Sequence, residues 1–206
     1  MLFSGNPVHR ERGSVAALVI LFCAAAMVSV AIAQDVSPVP TTPGTKSISA
    51  AEAPLELTAY GSGWRAKGTG SLKFFGFKVY DATLWLSAQA VGNFGFSQPF
   101  ALDIVYNTAV KANDINNTSL IEMSRISSAT PEQVKAWSTF MTSLFLDVKG
   151  GDRLVGVHVP AAGARFFLNG KLLGETQDSA FSEAFFKIWL DPKARKPELR
   201  TALLGQ

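Results

Sequence analysis

Residues 71–87, SLKFFGFKVYDATLWLS, constrain the fold more than any other stretch of this chain. Aromatic and β-branched side chains are packed there at a density that suits a pleated, half-buried surface and nothing else. The stretch is long for a single strand, and Gly76 is expected to mark a bulge or bend within it. By the period of two, Lys73, Phe75, Phe77 and Val79 then point to one face. Such a strand requires a sheet and a core to bury it. The chain can supply both: 206 residues are 48% hydrophobic and only 17% charged, against roughly 25% charged in an average globular protein. That balance excludes a disordered chain, a collagen-like repeat and a coiled coil.

Further strands are read on both sides of it. Leu55, Leu57 and Ala59 alternate with Glu56, Thr58 and Tyr60 up to a turn at Gly61-Ser62-Gly63, which predicts a strand. Gly68-Thr69-Gly70 is expected to be a turn leading into the long strand. Residues 99–106 alternate apolar and small or polar side chains, as do residues 152–159. Asn169-Gly170 between two apolar runs is the strongest short-range hairpin signal.

Helices separate the two groups of strands. Residues 111–126 place Ile115, Leu120, Met123 and Ile126 on an apolar side. In the next helix Thr130 is a natural N-cap, Pro131 fits the first position and Gln133 completes a capping box. Val134, Trp137, Met141, Leu144 and Phe145 follow at helical spacing. Asp178 can cap a third helix with Phe181, Ala184, Phe185, Ile188 and Trp189 on its apolar face, and a fourth starts near Pro197 and ends at Gly205. Strands, helices, strands and helices in that order make an α+β plan, with helices packed on a largely antiparallel sheet.

The first 53 residues are of a different kind. Arg10, Glu11 and Arg12 precede 21 uncharged residues, 13–33, that end Ala31-Ile32-Ala33. A basic start, an apolar middle and small residues at the end predict a signal peptide over residues 1–33, the other reading being an uncleaved membrane anchor. Under both, the domain is exported, to the periplasm or beyond. Residues 34–53 are rich in Pro, Ser, Thr and small residues and read as a linker, which leaves 54–206 as the domain.

Chemical tools are few. Cys23 lies in the expected signal segment, so the mature chain carries no thiol, and no metal site or cofactor is indicated. Without residues 1–33 the net charge falls from +3 to +2, which gives no basis for nucleic-acid binding. No nucleophile elbow, phosphate loop or zinc motif occurs. His158 has no ligand partner at recognisable spacing and is expected to have a structural or surface role rather than a catalytic one. Lys73 beside the apolar row of Phe75, Phe77 and Val79 could receive a ligand carboxylate, or simply extend to water. Tyr80 and Tyr106 could add phenolic hydrogen bonds.

Gly68-Thr69-Gly70 followed by LKFFGFKVYDATLWL (72–86) resembles the G-x-G…VY-x-A-x-L-[YW] signature of chalcone isomerase-like proteins. FFLNGKLLGE (166–175) and FSEAFFKIWLDP…LRTALLG (181–205) are similar to its bacterial exported branch. The resemblance implies an open-faced β-sandwich, a large antiparallel sheet with helices covering one face. It also implies two kinds of function, since the plant enzymes close a flavanone ring while fatty-acid-binding members do no chemistry. Lys73 is the nearest counterpart of the family's basic residue on the early strand, with Leu72 the other possible alignment. Phe75 stands where the enzymes have a threonine, and the enzymes' tyrosine on the following helix has no match. Ser179 falls near their late hydroxyl position.

Three functions follow as expectations. The first is a non-catalytic domain that binds a small apolar ligand with an anionic end, fatty-acid-like or phenolic, through Lys73, Phe75, Phe77, Tyr80, Tyr106 and Ser179. The second is an isomerase or intramolecular lyase on another substrate. The third is a cell-envelope interaction module with an exposed apolar patch.

Overall fold

A computed structural model of the chain describes residues 52–88, 90 and 94–206. The expected signal segment, 1–33, and nearly all of the expected linker lie outside the described residues. Six strands form one antiparallel sheet in sequence order: β1 (Arg65–Phe74), β2 (Phe77–Leu86), β3 (Phe100–Tyr106), β4 (Arg153–Val159), β5 (Gly163–Leu168) and β6 (Lys171–Thr176). Helices α1 (Ala112–Ile126) and α2 (Pro131–Leu144) connect β3 to β4, and α3 (Ser179–Leu190) and α4 (Pro197–Leu204) follow β6. This is the open sheet with a helical cover that the sequence order predicts.

The helix ends follow from local chemistry. Thr130 and Gln133 form the reciprocal capping box ahead of α2, and Asp178 caps α3 by accepting the Phe181 N–H at 3.0 Å. Asp178 also accepts the Trp137 indole N–H at 2.8 Å, so one carboxylate ties the start of α3 to α2. Gly205 ends α4 in the left-handed conformation.

Three expectations for the amino-terminal part of the domain are corrected. Residues 71–87 are not one strand but parts of two, joined by a tight turn at Phe75-Gly76. Both turn residues have positive φ, 46° and 83°, as a two-residue hairpin turn requires. Phe74 therefore pairs with Phe77 and Lys73 with Lys78, and the shared face of Lys73, Phe75 and Phe77 does not exist. Gly68-Thr69-Gly70 is not a turn but mid-strand, because α4 lies so close to β1 that a Cβ on Gly68 would sit 2.1 Å from the Ala202 carbonyl oxygen. Residues 55–60 form a 3-10 helix (Leu55–Tyr60) rather than a strand. It buries Leu57 completely and leaves Leu55 in water.

The two faces of the sheet are unequal. On one, Leu84, Phe100, Leu102, Ile104, Leu154 and Phe166 pack under the helices and form the main core. There α4 lies along β1 and β2, α3 crosses β4 and β5, and α1 packs on α3 and α2. The other face carries a smaller cluster of Leu57, Trp85, Ala101, Val155 and Val157 under the 3-10 helix. Asp103, buried beside that cluster, accepts two hydrogen bonds from the Arg153 guanidinium at 2.8 and 2.6 Å and a third from the Trp85 indole at 3.3 Å. The unit Lys46–Gln206 contains the whole sheet, the helix layer and both clusters. With its own core and about 160 residues, it meets the size at which a domain can fold alone.

Candidate functional site

A small void lies between sheet and helices. Leu102 and Ile104 on β3, Leu154 and Gly156 on β4, Phe166 on β5, and Phe185 and Phe186 on α3 surround a void of about 10 Å³. Its wall is mostly hydrocarbon, and its volume is that of about one water molecule. Gly156 keeps it from closing on the sheet side. A Cβ there would meet the Phe186 ring at 3.1 Å and the Phe166 ring at 3.3 Å.

A polar corner adjoins this void. Phe185 in its wall lies 5.4 Å from the Trp189 ring, one turn further along α3. The Trp189 indole N–H donates to the Tyr80 hydroxyl at 2.8 Å, and the Tyr80 ring meets the Tyr106 ring edge-on at 5.9 Å. Tyr106 follows Ile104 on the same face of β3 by the period of two, which closes the circuit back to the void. Burial pushes the Tyr80 phenol up to about 12 and the Tyr106 phenol higher still. Both stay neutral at any physiological pH. Tyr80 accepts from Trp189, and among the described residues its own proton has no acceptor. It is held as a donor at the edge of an apolar space.

Of the six residues singled out in the sequence, the structure brings only Tyr80 and Tyr106 together. Lys73 is exposed on β1, beyond the Leu72–Tyr80 row, and does not reach the interior. Phe75 and Phe77 are 82% and 79% exposed at the hairpin end. Ser179 opens α3 and is exposed, about 15 Å of helix away from Trp189. Sequence reasoning missed Trp189 and the wall residues as a site. Trp189 was visible on the apolar face of α3, but its partner lies 109 residues away in the chain, and no local pattern encodes that contact.

The remaining buried polar groups are structural ties. The His158 imidazole, buried against Phe100, Phe96 and Phe186, has its pKa lowered by desolvation and is neutral. Its Nε2–H donates to the Phe96 carbonyl at 2.8 Å, and Nδ1 lies 2.7 Å from the Ser182 hydroxyl. This ring pins the segment before β3 to α3, which agrees with the structural role expected of it. Glu122 on α1 is buried between the guanidinium groups of Arg125 and Arg195 and fastens the segment ahead of α4. Among the described residues no cluster of His, Cys, Asp and Glu could hold a metal ion.

A six-stranded antiparallel sheet covered on one face by helices, with a small apolar void between them, defines an open-faced β-sandwich. The model of the chalcone isomerase-like family matches residues 45–205, and the chain belongs to that family. Among solved structures it is similar to the crystal structure of an Arabidopsis thaliana fatty-acid binding protein, AtFAP1. The two are 10% identical, the match covers 70% of this chain and 88% of that one, and the TM-score is 0.56. At that identity the likeness shows the fold. No curated protein matches the chain.

Proposed function

We propose that this domain is a non-enzymatic carrier of a small apolar or amphipathic molecule. The tail lies beneath α3 and an oxygen-bearing end meets the Tyr80 and Tyr106 hydroxyls. The observation that carries this reading is that the void's wall, at Phe185 and Ile104, is packed next to the Trp189–Tyr80–Tyr106 corner. A wall of hydrocarbon and two neutral phenols offer no nucleophile and no base, so the arrangement suits holding a molecule rather than transforming it. The fatty-acid binding named for the structural neighbour supports the same ligand class. Because the void has room for about one water, the ligand enters by moving the Phe185 and Phe186 rings aside. The anionic end is met by phenolic donors, not by Lys73. Export remains part of this reading: the uncharged run 13–33 between Arg12 and an Ala-Ile-Ala end supports a periplasmic or secreted domain.

Titration of the Lys46–Gln206 unit with a fluorescent long-chain fatty acid tests this. Saturable binding is expected, and Tyr80→Phe, which removes one oxygen and keeps the ring, weakens the acid roughly fivefold, the scale of one hydrogen bond. The same variant leaves the affinity for the matching hydrocarbon unchanged. Absence of saturable binding by fatty acids and phenolics alike would overturn the carrier reading. Equal loss for acid and hydrocarbon would overturn the role given to Tyr80.

A further inference from the structure

The β1–β2 hairpin does not end where the sheet ends. The last row that β2 shares with β3 is Tyr80 opposite Tyr106, and there the N–H of Asn107 closes onto the Val79 carbonyl at 2.8 Å. Residues 73–79 continue beyond it as a two-stranded ribbon. The Phe74–Phe77 row stands three residues out, about 10 Å past the body of the sheet.

This ribbon is built against the rules for an exposed turn. From root to tip, Phe74, Phe77 and Phe75 are 40%, 79% and 82% exposed. Phe75 also holds a φ of 46°, a conformation that a bulky side chain rarely adopts and that Asn or Gly would accept with less strain. Neither packing nor backbone geometry calls for phenylalanine at this position.

The order of residues along the ribbon supplies a reason. Outermost is the Phe75-Gly76 turn, next the Phe74–Phe77 row, and one row behind it Lys73 faces Lys78 across the ribbon. No acidic residue occurs from 72 to 80. Lys73 makes no ion pair among the described residues, while Lys78 meets Asp81 at 3.1 Å on its inner side. Apolar rings ahead of two cations, a few ångströms apart along one axis, match the cross-section of an anionic membrane surface, where phosphates lie just outside hydrocarbon. The ribbon is convex and narrow, so it suits a soft surface that yields to it.

We propose that the β1–β2 hairpin docks this domain on an anionic lipid surface, with Phe74, Phe75 and Phe77 inserted at the interface and Lys73 and Lys78 at the phosphates. The inference is independent of the carrier reading, although Tyr80 at the root of the same ribbon would place the ligand site next to the membrane.

Co-sedimentation of Lys46–Gln206 with ligand-free vesicles tests it. Vesicles containing phosphatidylglycerol are expected to bind the domain, and pure phosphatidylcholine vesicles to bind it at least tenfold more weakly. Phe75→Ser with Phe77→Ser lowers the affinity roughly tenfold or more, and Lys73→Gln with Lys78→Gln does so to a similar degree. Higher salt weakens the native protein toward the level of the lysine variant. All four positions are exposed, and an unchanged thermal midpoint checks that the variants fold. Tyr80→Phe leaves vesicle binding unchanged, so this result and the ligand result fail separately. The inference is overturned if anionic vesicles are not bound, or if neither pair of substitutions weakens binding. It is equally overturned if the exposed rings instead produce tip-dependent self-association without lipid.

Discussion

Phe75-Gly76 and Asn169-Gly170 turn the chain in the same way, with φ of 46° and 83° in one and 51° and 79° in the other. Their surroundings differ. Asn169 is tied into the protein on three sides: its N–H donates to the Arg153 carbonyl, its Oδ1 accepts the Arg153 N–H at 2.9 Å, and its Nδ2–H donates to Asp152 at 3.0 Å. The β5–β6 turn is thereby fastened to the start of β4. Phe75 is 82% exposed, and its one ring contact among the described residues is the Phe74 ring, edge-on at 4.5 Å. One turn carries the residue that the backbone favours. The other carries an exposed residue that the backbone conformation disfavours.

The root of the β1–β2 hairpin should be as intolerant as its tip is permissive. Gly68→Val forces a side chain into the Ala202 and Leu203 carbonyls of α4, and a loss of about 3 kcal/mol or more is expected in urea unfolding. Exchanging the turn residues gives smaller effects of opposite sign. Asn169→Phe removes two side-chain hydrogen bonds and adds strain, for an expected loss of about 1–2 kcal/mol. Phe75→Asn relieves strain and removes little packing, for an expected gain of about 0.5–1 kcal/mol. If both exchanges destabilise alike, the two turns are equally structural and the contrast between them fails.

The same contrast explains what could be read from the sequence. Asn169-Gly170 announces its hairpin because Asn and Gly are the residues that positive φ favours. Phe-Gly carries no such signal, so the aromatic run reads as one strand, and the face shared by Lys73, Phe75 and Phe77 follows from that misreading. Gly68 and Gly70 look like a turn because the reason for them, the approach of α4, is tertiary. The alternation in residues 55–60 spans too few residues to separate a strand from a helical turn. Helices α2 and α3 are legible because Thr130, Gln133 and Asp178 cap them locally. Tyr80 and Tyr106 are each legible in the sequence as phenolic donors. Their union with Trp189 is set by strand register and the docking of α3, neither of which is a local property.

The most direct measurement follows the indole N–H signals of the Lys46–Gln206 unit by nuclear magnetic resonance as a long-chain fatty acid is added. Trp189 donates to Tyr80 at the edge of the apolar site, whereas Trp85 donates to Asp103 on the opposite face of the sheet. The Trp189 signal is expected to move in a saturable way while the Trp85 signal stays in place. A stationary Trp189, or a ligand that shifts Trp85 instead, would contradict the carrier reading.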